Sequence, residues 1–294
     1  MPGAKAAKGH SIMTMTLISV ADLAARLGQP DVRIFDVRHD LMDHSVGPRQ
    51  FAEGHIPGAR YLNHETELAA PRTGTNGRHP LPSRDAFAGL MAAHEVTPET
   101  LVVAYDGSGG AYAAHLWWML RWMGHAQVAV LDGGWGAWTA AGLPVESGVA
   151  QSLAPQTGIR AGASLVGTVD ARAVLENIST PAFTVVDARA ANRYRGETEP
   201  MDPVAGHIPG ALNRPNGENL AADGRFKDAA QLRAEFQALL GARPAQEVVH
   251  QCGSGITACH NLFAMEVAGL SGSRLYPGSW SEWCADPTRP VAKG

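Results

Sequence analysis

One cysteine lies where its surroundings in the sequence favour a reactive thiolate. Cys252 follows the apolar run Val248–Gln251 and opens the segment Cys-Gly-Ser-Gly-Ile-Thr-Ala at residues 252–258. A glycine-containing turn between a strand and a helix directs backbone N–H groups inward, and the helix adds the positive end of its dipole. Both effects favour the thiolate, which is the nucleophilic form of cysteine. We therefore predict that Cys252 is a nucleophile in a bowl of backbone amides.

Other uses of this loop have less support in the sequence. A phosphate-binding loop would end in Gly-Lys-Ser/Thr, and neither Gly-rich turn of the chain does. A cysteine phosphatase needs an arginine six residues after its cysteine, where Ala258 stands here. A zinc site could draw on two cysteines and two histidines, but their spacing is not the paired spacing of zinc ligands, so we predict no metal. Those four residues are Cys252, Cys259, His250 and His260. We interpret Cys259 as a packed helix residue.

The two halves of the chain repeat each other in order. The segment Gly-His-Ile-Pro-Gly-Ala occurs at residues 54–59 and again at residues 206–211, and an Asp-x-Arg segment precedes it both times. The turn that begins at Asp106 matches the turn that begins at Cys252, and a segment with two tryptophans follows each. The offset between matches drifts only from 152 to 145 residues, which indicates an internal duplication. Because Asp106 replaces the cysteine in the first half, we predict two separate sites, of which the first is inert.

The elements that position these turns alternate in the same way in both halves. Each half begins with a helix, near Ser19 in the first and near Thr168 in the second, and continues with strands, loops and a further helix. This alternation predicts an α/β fold with a mainly parallel sheet in each half and helices on both faces of each sheet. Ligands bind at the carboxyl ends of such strands, where the Cys252 turn lies. The predicted strands are 32–37, 101–105, 128–131, 183–187, 248–251 and 274–276, and the helices after the turns are 111–123 and 257–268.

Length and composition indicate a globular protein of two domains. For the 294 residues we predict a flexible leader over 1–15, domains over 16–148 and 166–294, and a linker over 149–165. A net charge of −4 without a basic stripe argues against a nucleic-acid partner, and no apolar run is long enough to span a membrane. The three cysteines, an odd number near one end of the chain, fit a reducing compartment, so we predict a cytoplasmic protein.

Taken together, these motifs resemble the two-domain sulfurtransferases of the rhodanese superfamily. The resemblance rests on the Cys-Gly-Ser-Gly-Ile-Thr-Ala loop, the twin His-Ile-Pro-Gly-Ala segments and the Gly-x-Trp-x-x-Trp ending, and it covers nearly all of the chain beyond Ser19. It implies two tandem rhodanese-like domains, the first inert and the second catalytic. A Cys-Gly-Ser-Gly loop resembles the 3-mercaptopyruvate branch, whereas the thiosulfate branch usually has Arg and Lys in place of Gly253 and Ser254.

The resemblance also implies residues that bind the sulfur donor. In the family, an arginine shortly after the second Asp-x-Arg strand holds the substrate, and Arg193 matches it here. Arg189 is a second candidate, although Arg38 occupies the matching place in the inert half. The branch often has another arginine in a Glu-Pro-Arg-Asp stretch, where this chain has Met201, and this departure leaves the preferred donor open. The loop residues expected to line the donor are Gly253, Gly255, Ile256, Thr257 and Ala258.

Two residues of the first half are expected in the same site. By resemblance to the family, Glu65 and His79 align with an acid and a histidine that polarise the loop serine, Ser254. An ordered chain of acid, histidine and serine could remove or donate a proton during the reaction. With Cys252 they form the predicted catalytic set.

The predicted activity is transfer of a sulfane sulfur from 3-mercaptopyruvate to a thiol, thioredoxin or cyanide, through a persulfide on Cys252. The expected partners are a small anionic sulfur donor and a thiol acceptor such as thioredoxin, with no metal or organic cofactor. Two alternatives stay open. A thiosulfate sulfurtransferase would use the same mechanism, and a non-catalytic persulfide carrier would keep Cys252 but release no pyruvate.

Overall fold

In the described part of the chain, ten short strands form two five-stranded sheets, one in each half. The computed structural model describes residues 16–148 and 158–294. The strands of the first domain are β1 (Leu17–Ile18), β2 (Val32–Asp36), β3 (Arg60–Tyr61), β4 (Leu101–Tyr105) and β5 (Val128–Leu131). Those of the second domain are β6 (Gly167–Thr168), β7 (Thr184–Asp187), β8 (Leu212–Asn213), β9 (Val248–Gln251) and β10 (Arg274–Leu275). The strand orders are β1-β5-β4-β2-β3 and β6-β10-β9-β7-β8, and every pairing is parallel. The two sheets thus have the same topology, as expected from a duplicated sequence.

Helices flank both sheets, which confirms the predicted α/β class. The first domain contains α1 (Val20–Ala24), α2 (Val46–Glu53), α3 (Arg84–Ala93), α4 (Ala111–Met123) and α5 (Gly134–Ala140). The second contains α6 (Ala171–Ser179), α7 (Ala191–Tyr194), α8 (Ala229–Leu240), α9 (Ile256–Val267) and α10 (Ser279–Trp283), with 3-10 turns at Asn216–Asn219 and Ala245–Glu247. Across the described residues 16–148 and 158–294, none of the helices has the length and apolar character needed to cross a bilayer.

Alternation along the central strands divides the core of the first domain between the two faces of its sheet. On β4, Val103 and Tyr105 pack with one apolar cluster, while Val102 and Ala104 pack with the other. Successive side chains of a strand point to opposite faces, so a strand that is apolar throughout is covered on both sides. The second of these clusters continues into the second domain, where it includes Phe263 and Cys252. The two domains therefore share one continuous core.

The helix predicted over 111–123 is observed with those bounds, whereas two other helix starts differ from the prediction by one to three residues. The helix predicted near Thr168 begins at Ala171, because Thr168 pairs with β10 and the side chain of Asp170 caps the helix at the N–H of Ala173. The helix predicted from Thr257 begins one residue earlier, directly after Gly255. The leader over residues 1–15 and residues 149–157 of the predicted linker lie outside the described residues, and the domain boundaries stay a prediction.

In each domain, a buried ion pair lies at the carboxyl end of the second strand along the chain. In the first domain, Nε of Arg38 donates to both carboxylate oxygens of Asp36, at 3.0 and 2.9 Å, and Tyr105 donates its hydroxyl proton to the same group at 2.7 Å. Asp187 and Arg189 form the same ion pair in the second domain. Because neither ion of such a pair is solvated by water, each depends on its partner.

Removing one member of this pair should destabilise the protein strongly. We expect Asp36→Ala to lower the free energy of unfolding by about 3–5 kcal/mol, since it leaves a buried guanidinium without a counter-charge. Urea unfolding curves would measure the loss. The matched control is Arg172→Ala, whose exposed pair with Glu176 should contribute less than about 1 kcal/mol. Equal small losses in both variants would contradict this account of the core.

Candidate active site

The Cys252 side chain lies in a turn between β9 and α9. Gly255 adopts a left-handed conformation with φ of +92°, and a Cβ at this position would lie 2.6 Å from the carbonyl oxygen of Pro277. Only glycine fits both constraints. The N–H of Gly255 donates a hydrogen bond to Sγ of Cys252 at 3.1 Å, and the Cys252 side chain is almost fully buried. The sulfur therefore has a backbone donor aimed at it from the start of a helix, as the sequence predicted.

The matching turn of the first domain holds a carboxylate in its bowl of amides. Asp106 lies at the end of β4, and its two carboxylate oxygens accept four backbone N–H groups at 2.7–2.9 Å. The donors are Ser108, Gly110, Tyr112 and Ala113. Gly110 caps α4 in a left-handed conformation, just as Gly255 caps α9, but the first turn has one residue more. An internal anion thus fills the site of the first domain, which supports the prediction that this site is inert.

Glu65, His79 and Ser254 form a continuous hydrogen-bonded chain between the domains. Nδ1 of His79 lies 2.7 Å from Oγ of Ser254, and Nε2 lies 2.7 Å from Oε1 of Glu65. The hydrogen bond from His79 lowers the pKa of Glu65 to about 2, with a smaller contribution from the charge of Arg72. An ionised Glu65 accepts the proton of Nε2, so Nδ1 is left as an acceptor for the hydroxyl of Ser254. The three residues that the family resemblance suggested are therefore in contact.

Two guanidinium groups approach the Cys252 loop at Gly253. A Cβ at Gly253 would lie 2.6 Å from Nη2 of Arg78 and 3.6 Å from Nη2 of Arg193. Arg193 was predicted, but Arg78 was not, since only the packing of the domains brings the first-half residue to the loop. Its one sequence signal is its place next to His79. Both arginines contact Asp202, and Arg193 also donates to Glu199 at 2.6 Å.

Arg189 is placed differently from Arg193. Its guanidinium is about 1% exposed and donates to Asp187, to the carbonyl of Gly206 and to Glu199. Arg38 makes the equivalent bonds to Asp36 and Gly54 in the first domain. These contacts use guanidinium donors for the fold, which favours a structural role, and substrate binding by Arg189 stays a prediction. Its link to Glu199 also helps to hold the partner of Arg193.

The other cysteines have surroundings typical of unreactive thiols. Cys259 is fully buried on α9, donates to the carbonyl of Gly255 at 3.3 Å, and has its pKa raised well above the ordinary value by burial. Burial also raises the pKa of Cys284 to about 11. In the described part of the chain, the four residues considered for zinc in the sequence do not bring their ligand atoms together.

Two more histidines face Glu65 from the first domain. Nε2 of His44 lies 3.5 Å from Oε1 of Glu65, and Nε2 of His39 lies 3.6 Å from the same oxygen. Burial lowers the pKa of His39 to about 4, so its imidazole is neutral at physiological pH. The sequence analysis did not single out either residue.

Comparisons with known proteins agree with the resemblance seen in the sequence. The profile described as a Rhodanese-like domain matches twice, over residues 19–141 and 170–286. A Pseudomonas aeruginosa relative named as a probable 3-mercaptopyruvate sulfurtransferase is 47% identical over 280 residues, covering 95% of this chain and 98% of the relative. The thiosulfate sulfurtransferase of Mus musculus is 34% identical over 297 residues, covering 97% and 98%. The solved structure of the 3-mercaptopyruvate sulfurtransferase from Leishmania major has a TM-score of 0.80 at 30% identity, covering 94% of this chain and 75% of that one.

The depressed pKa of Glu65 predicts a defined pH dependence of stability. A carboxylate whose pKa falls from 4.5 to about 2 on folding stabilises the native state fully above its unfolded pKa. This contribution is lost as the pH falls through that window toward 2. We expect the stability difference between the wild type and Glu65→Gln to be constant above about pH 5 and to shrink below it, as urea unfolding at a series of pH values would measure.

The control for this series is Glu53→Gln, which removes the same charge from an exposed position at the end of α2. Its stability difference should vary little over the same pH range. A flat difference for Glu65→Gln down to pH about 3 would mean that the hydrogen bond from His79 does not stabilise the ionised carboxylate.

Proposed function

We propose, because this chain belongs to the rhodanese-like family and is a sulfurtransferase, that Cys252 takes a sulfane sulfur from 3-mercaptopyruvate and passes it to a thiol acceptor. Small thiols, thioredoxin and cyanide are the proposed acceptors. The observation that carries the proposal is the pair of matched turns. One holds a carboxylate in a bowl of amides, and the other holds the sulfur of Cys252 in the equivalent place.

The Asp106 carboxylate indicates what the Cys252 turn can hold. Gly110 and Gly255 cap their helices in the same conformation, and each donates its N–H to the residue at the strand end, Asp106 or Cys252. The first N–H groups of α9 have no carbonyl partner within the helix, so they are available to an anion beside Cys252. Both the thiolate and a persulfide on it are such anions, and preorganised donors stabilise the charge in each.

The chemistry needs one nucleophilic attack and one proton transfer. The thiolate of Cys252 attacks the donor sulfur, an S–S bond forms, and the C–S bond breaks with its electron pair leaving as the enolate of pyruvate. The proton of the donor thiol moves to the enolate carbon, so pyruvate and an ionised persulfide result. In the second step, an acceptor thiolate attacks the outer sulfur, the S–S bond breaks, and the thiolate of Cys252 is restored.

The chain of Ser254, His79 and Glu65 fits a donor that must move a proton. Nδ1 of His79 can take the hydroxyl proton of Ser254 and return it, while Glu65 holds the imidazole in the required tautomer. Thiosulfate transfers its outer sulfur and leaves as sulfite without any proton transfer. An acid–base relay therefore supports mercaptopyruvate as the donor over thiosulfate, which we keep as the alternative.

The two guanidinium groups at Gly253 fit the carboxylate of mercaptopyruvate. Arginine presents a planar fork that matches a carboxylate, and Arg78 and Arg193 reach the loop from opposite domains. Arg78 brings a cation close to Asp202, next to the position where Met201 replaces an expected arginine. A side chain at position 253 would displace the Arg78 guanidinium from this place, since its Cβ would lie 2.6 Å from Nη2 of Arg78. A passive sulfur carrier would not need two guanidinium groups that fit a carboxylate.

The setting of the protein is part of the proposal. Its three cysteines are free thiols, as expected in the cytoplasm. We retain the predicted division into an inert domain over 16–148, a linker over 149–165 and a catalytic domain over 166–294. The first domain then contributes to catalysis through residues that face the loop of the second.

Replacing the nucleophile should abolish turnover without unfolding the protein. We expect Cys252→Ser to reduce pyruvate release by more than about a thousandfold, since a serine hydroxyl is not ionised beside these amides. Donor alone should add one sulfur atom to the wild type, and peptide mass mapping should place it on Cys252. The control is Cys284→Ser, which should keep the added sulfur and the activity. A protein that gains sulfur from an added small-molecule persulfide, but gains none from mercaptopyruvate and releases no pyruvate, would instead support the carrier alternative.

Removing the guanidinium of Arg78 should lower the catalytic efficiency with mercaptopyruvate. We expect Arg78→Met to lower kcat/KM for mercaptopyruvate by about 10–100-fold, the usual worth of a hydrogen bond to a charged group. Arg195→Met, which removes an exposed guanidinium paired with Glu197, should change it little.

The double variant Gly253→Arg with Arg78→Ala moves the cation onto the loop, and we expect the preference of the enzyme to shift from mercaptopyruvate toward thiosulfate. An unchanged ratio of the two kcat/KM values would contradict the role of Arg78 in choosing the donor.

A further inference from the structure

Three imidazoles surround a single carboxylate oxygen beside the proposed relay. Oε1 of Glu65 lies 2.7 Å from Nε2 of His79. Nε2 of His44 and Nε2 of His39 lie 3.5 and 3.6 Å from the same oxygen. Ligand atoms of His39, Glu65 and His79 are all within 4.8 Å of one another. The proton relay uses only two of these four side chains, so the other two require a separate explanation.

His39 carries the independent observation. Its side chain is fully buried, and neither of its ring nitrogens has a hydrogen-bond partner among the described residues. A buried polar group without a partner costs free energy, and such groups are rare in native proteins. The distance of 3.6 Å from Nε2 to Oε1 is too long for a good hydrogen bond. Two ligands of one tetrahedral zinc ion, each about 2.0–2.2 Å from it, lie about 3.4 Å apart.

We propose that this cluster binds a divalent transition metal ion, with Zn²⁺ as the best fit. Its donors are His39, His44, Glu65 and His79. Three imidazoles and one carboxylate are a ligand set that suits zinc, cobalt, nickel and copper, whereas Mg²⁺ and Ca²⁺ prefer oxygen ligands. The contact between His79 and Glu65 must lengthen, because a metal ion replaces the proton that the two groups now share. His44 is not part of the set within 4.8 Å and completes the ligands by a movement of its exposed side chain.

The surroundings leave a route and a free oxygen for the ion. The side chain of His44 is 47% exposed, so an ion can enter from solvent on that side. The positive charge of Arg72 would repel a metal ion, but Arg72 binds the other carboxylate oxygen of Glu65, Oε2, at 2.6 Å. Oε1 therefore remains available. His64 lies behind the cluster, with its ring centroid 5.4 Å from that of His39, and extends the imidazole lining inward.

A metal ion in this site would reverse the direction of the hydrogen bond between His79 and Ser254. Coordination through Nε2 of His79 requires the proton of the neutral imidazole to sit on Nδ1. Nδ1 would then donate to the hydroxyl of Ser254, which it now accepts from. Ser254 could no longer give up its proton, so the ion should inhibit the enzyme. This consequence rests on the proposed function, whereas the binding of the ion does not.

Cobalt provides a test that does not depend on activity. The full-length protein, first treated with EDTA, is titrated with Co²⁺ while its visible spectrum is recorded. We expect one equivalent to bind with the intense d–d bands of tetrahedral cobalt and without a thiolate-to-cobalt charge-transfer band. Cys252→Ser should bind equally well. His44→Ala should weaken binding about tenfold or more, since it removes one ligand at an exposed position where folding is not at risk. Met42→Ala, exposed on the same loop, is the matched control.

The inhibition is then measured with Zn²⁺ and mercaptopyruvate. The wild type should lose activity and regain it with EDTA, and His44→Ala should keep its basal rate but need about tenfold more zinc for the same inhibition. Loss of cobalt binding in Cys252→Ser, a thiolate band, or equal affinity in His44→Ala and Met42→Ala would overturn the site. Binding without inhibition would overturn the effect on the relay. An enzyme inactive even after EDTA treatment would count against the proposed function, while the cobalt spectra would still decide the site.

Discussion

The packing of α4 against α9 is the constraint on which the site depends. Trp117 on α4 meets Phe263 on α9 edge-to-face, with ring centroids 5.0 Å apart, and Nε2 of His260 bonds the carbonyl of Gly109 at 3.0 Å. Gly109 has a left-handed φ of +67°, and a Cβ there would lie 2.4 Å from Cδ1 of Leu220 and displace that side chain. Each of the two Gly-rich turns leads into the N-terminus of one of these helices. A fixed contact between the helices therefore fixes the distance from each turn to the other domain.

In the proposed mechanism, catalysis is divided between the two domains that this contact joins. The second domain supplies the sulfur and the amides around it, whereas the first supplies the acid, the imidazole and one guanidinium. The N–H of Arg78 donates to Oγ of Ser281 on α10 at 3.0 Å, so the segment that carries Arg78 and His79 is attached to the second domain directly. The first domain, which has Asp106 in place of the nucleophile, thus still contributes loops that complete the proposed site of the second domain.

The sequence predicted the parts of the site that depend on local pattern. Cys252, its loop and the inert counterpart at Asp106 follow from the order of strand, glycine turn and helix, which a single chain segment displays. Arg193, Glu65 and His79 came from the family resemblance rather than from physics. Arg78 and His39 were missed because their contacts form between segments that are far apart in the sequence. Strands of two residues, such as β3 and β8, were missed as well, since a period of two cannot be recognised in so short a run.

The inert turn explains why a bowl of amides can persist without a substrate. Backbone N–H groups at a helix start demand an acceptor, and an empty bowl in a buried place would be unfavourable. The carboxylate of Asp106 satisfies this demand permanently, with four donors at 2.7–2.9 Å, and the additional residue of its turn gives the side chain the room to do so. Cys252 presents a single sulfur to a shorter turn, and among the described residues Gly255 is its one backbone donor. The remaining amides are then left for the sulfur that arrives and for the charge it carries.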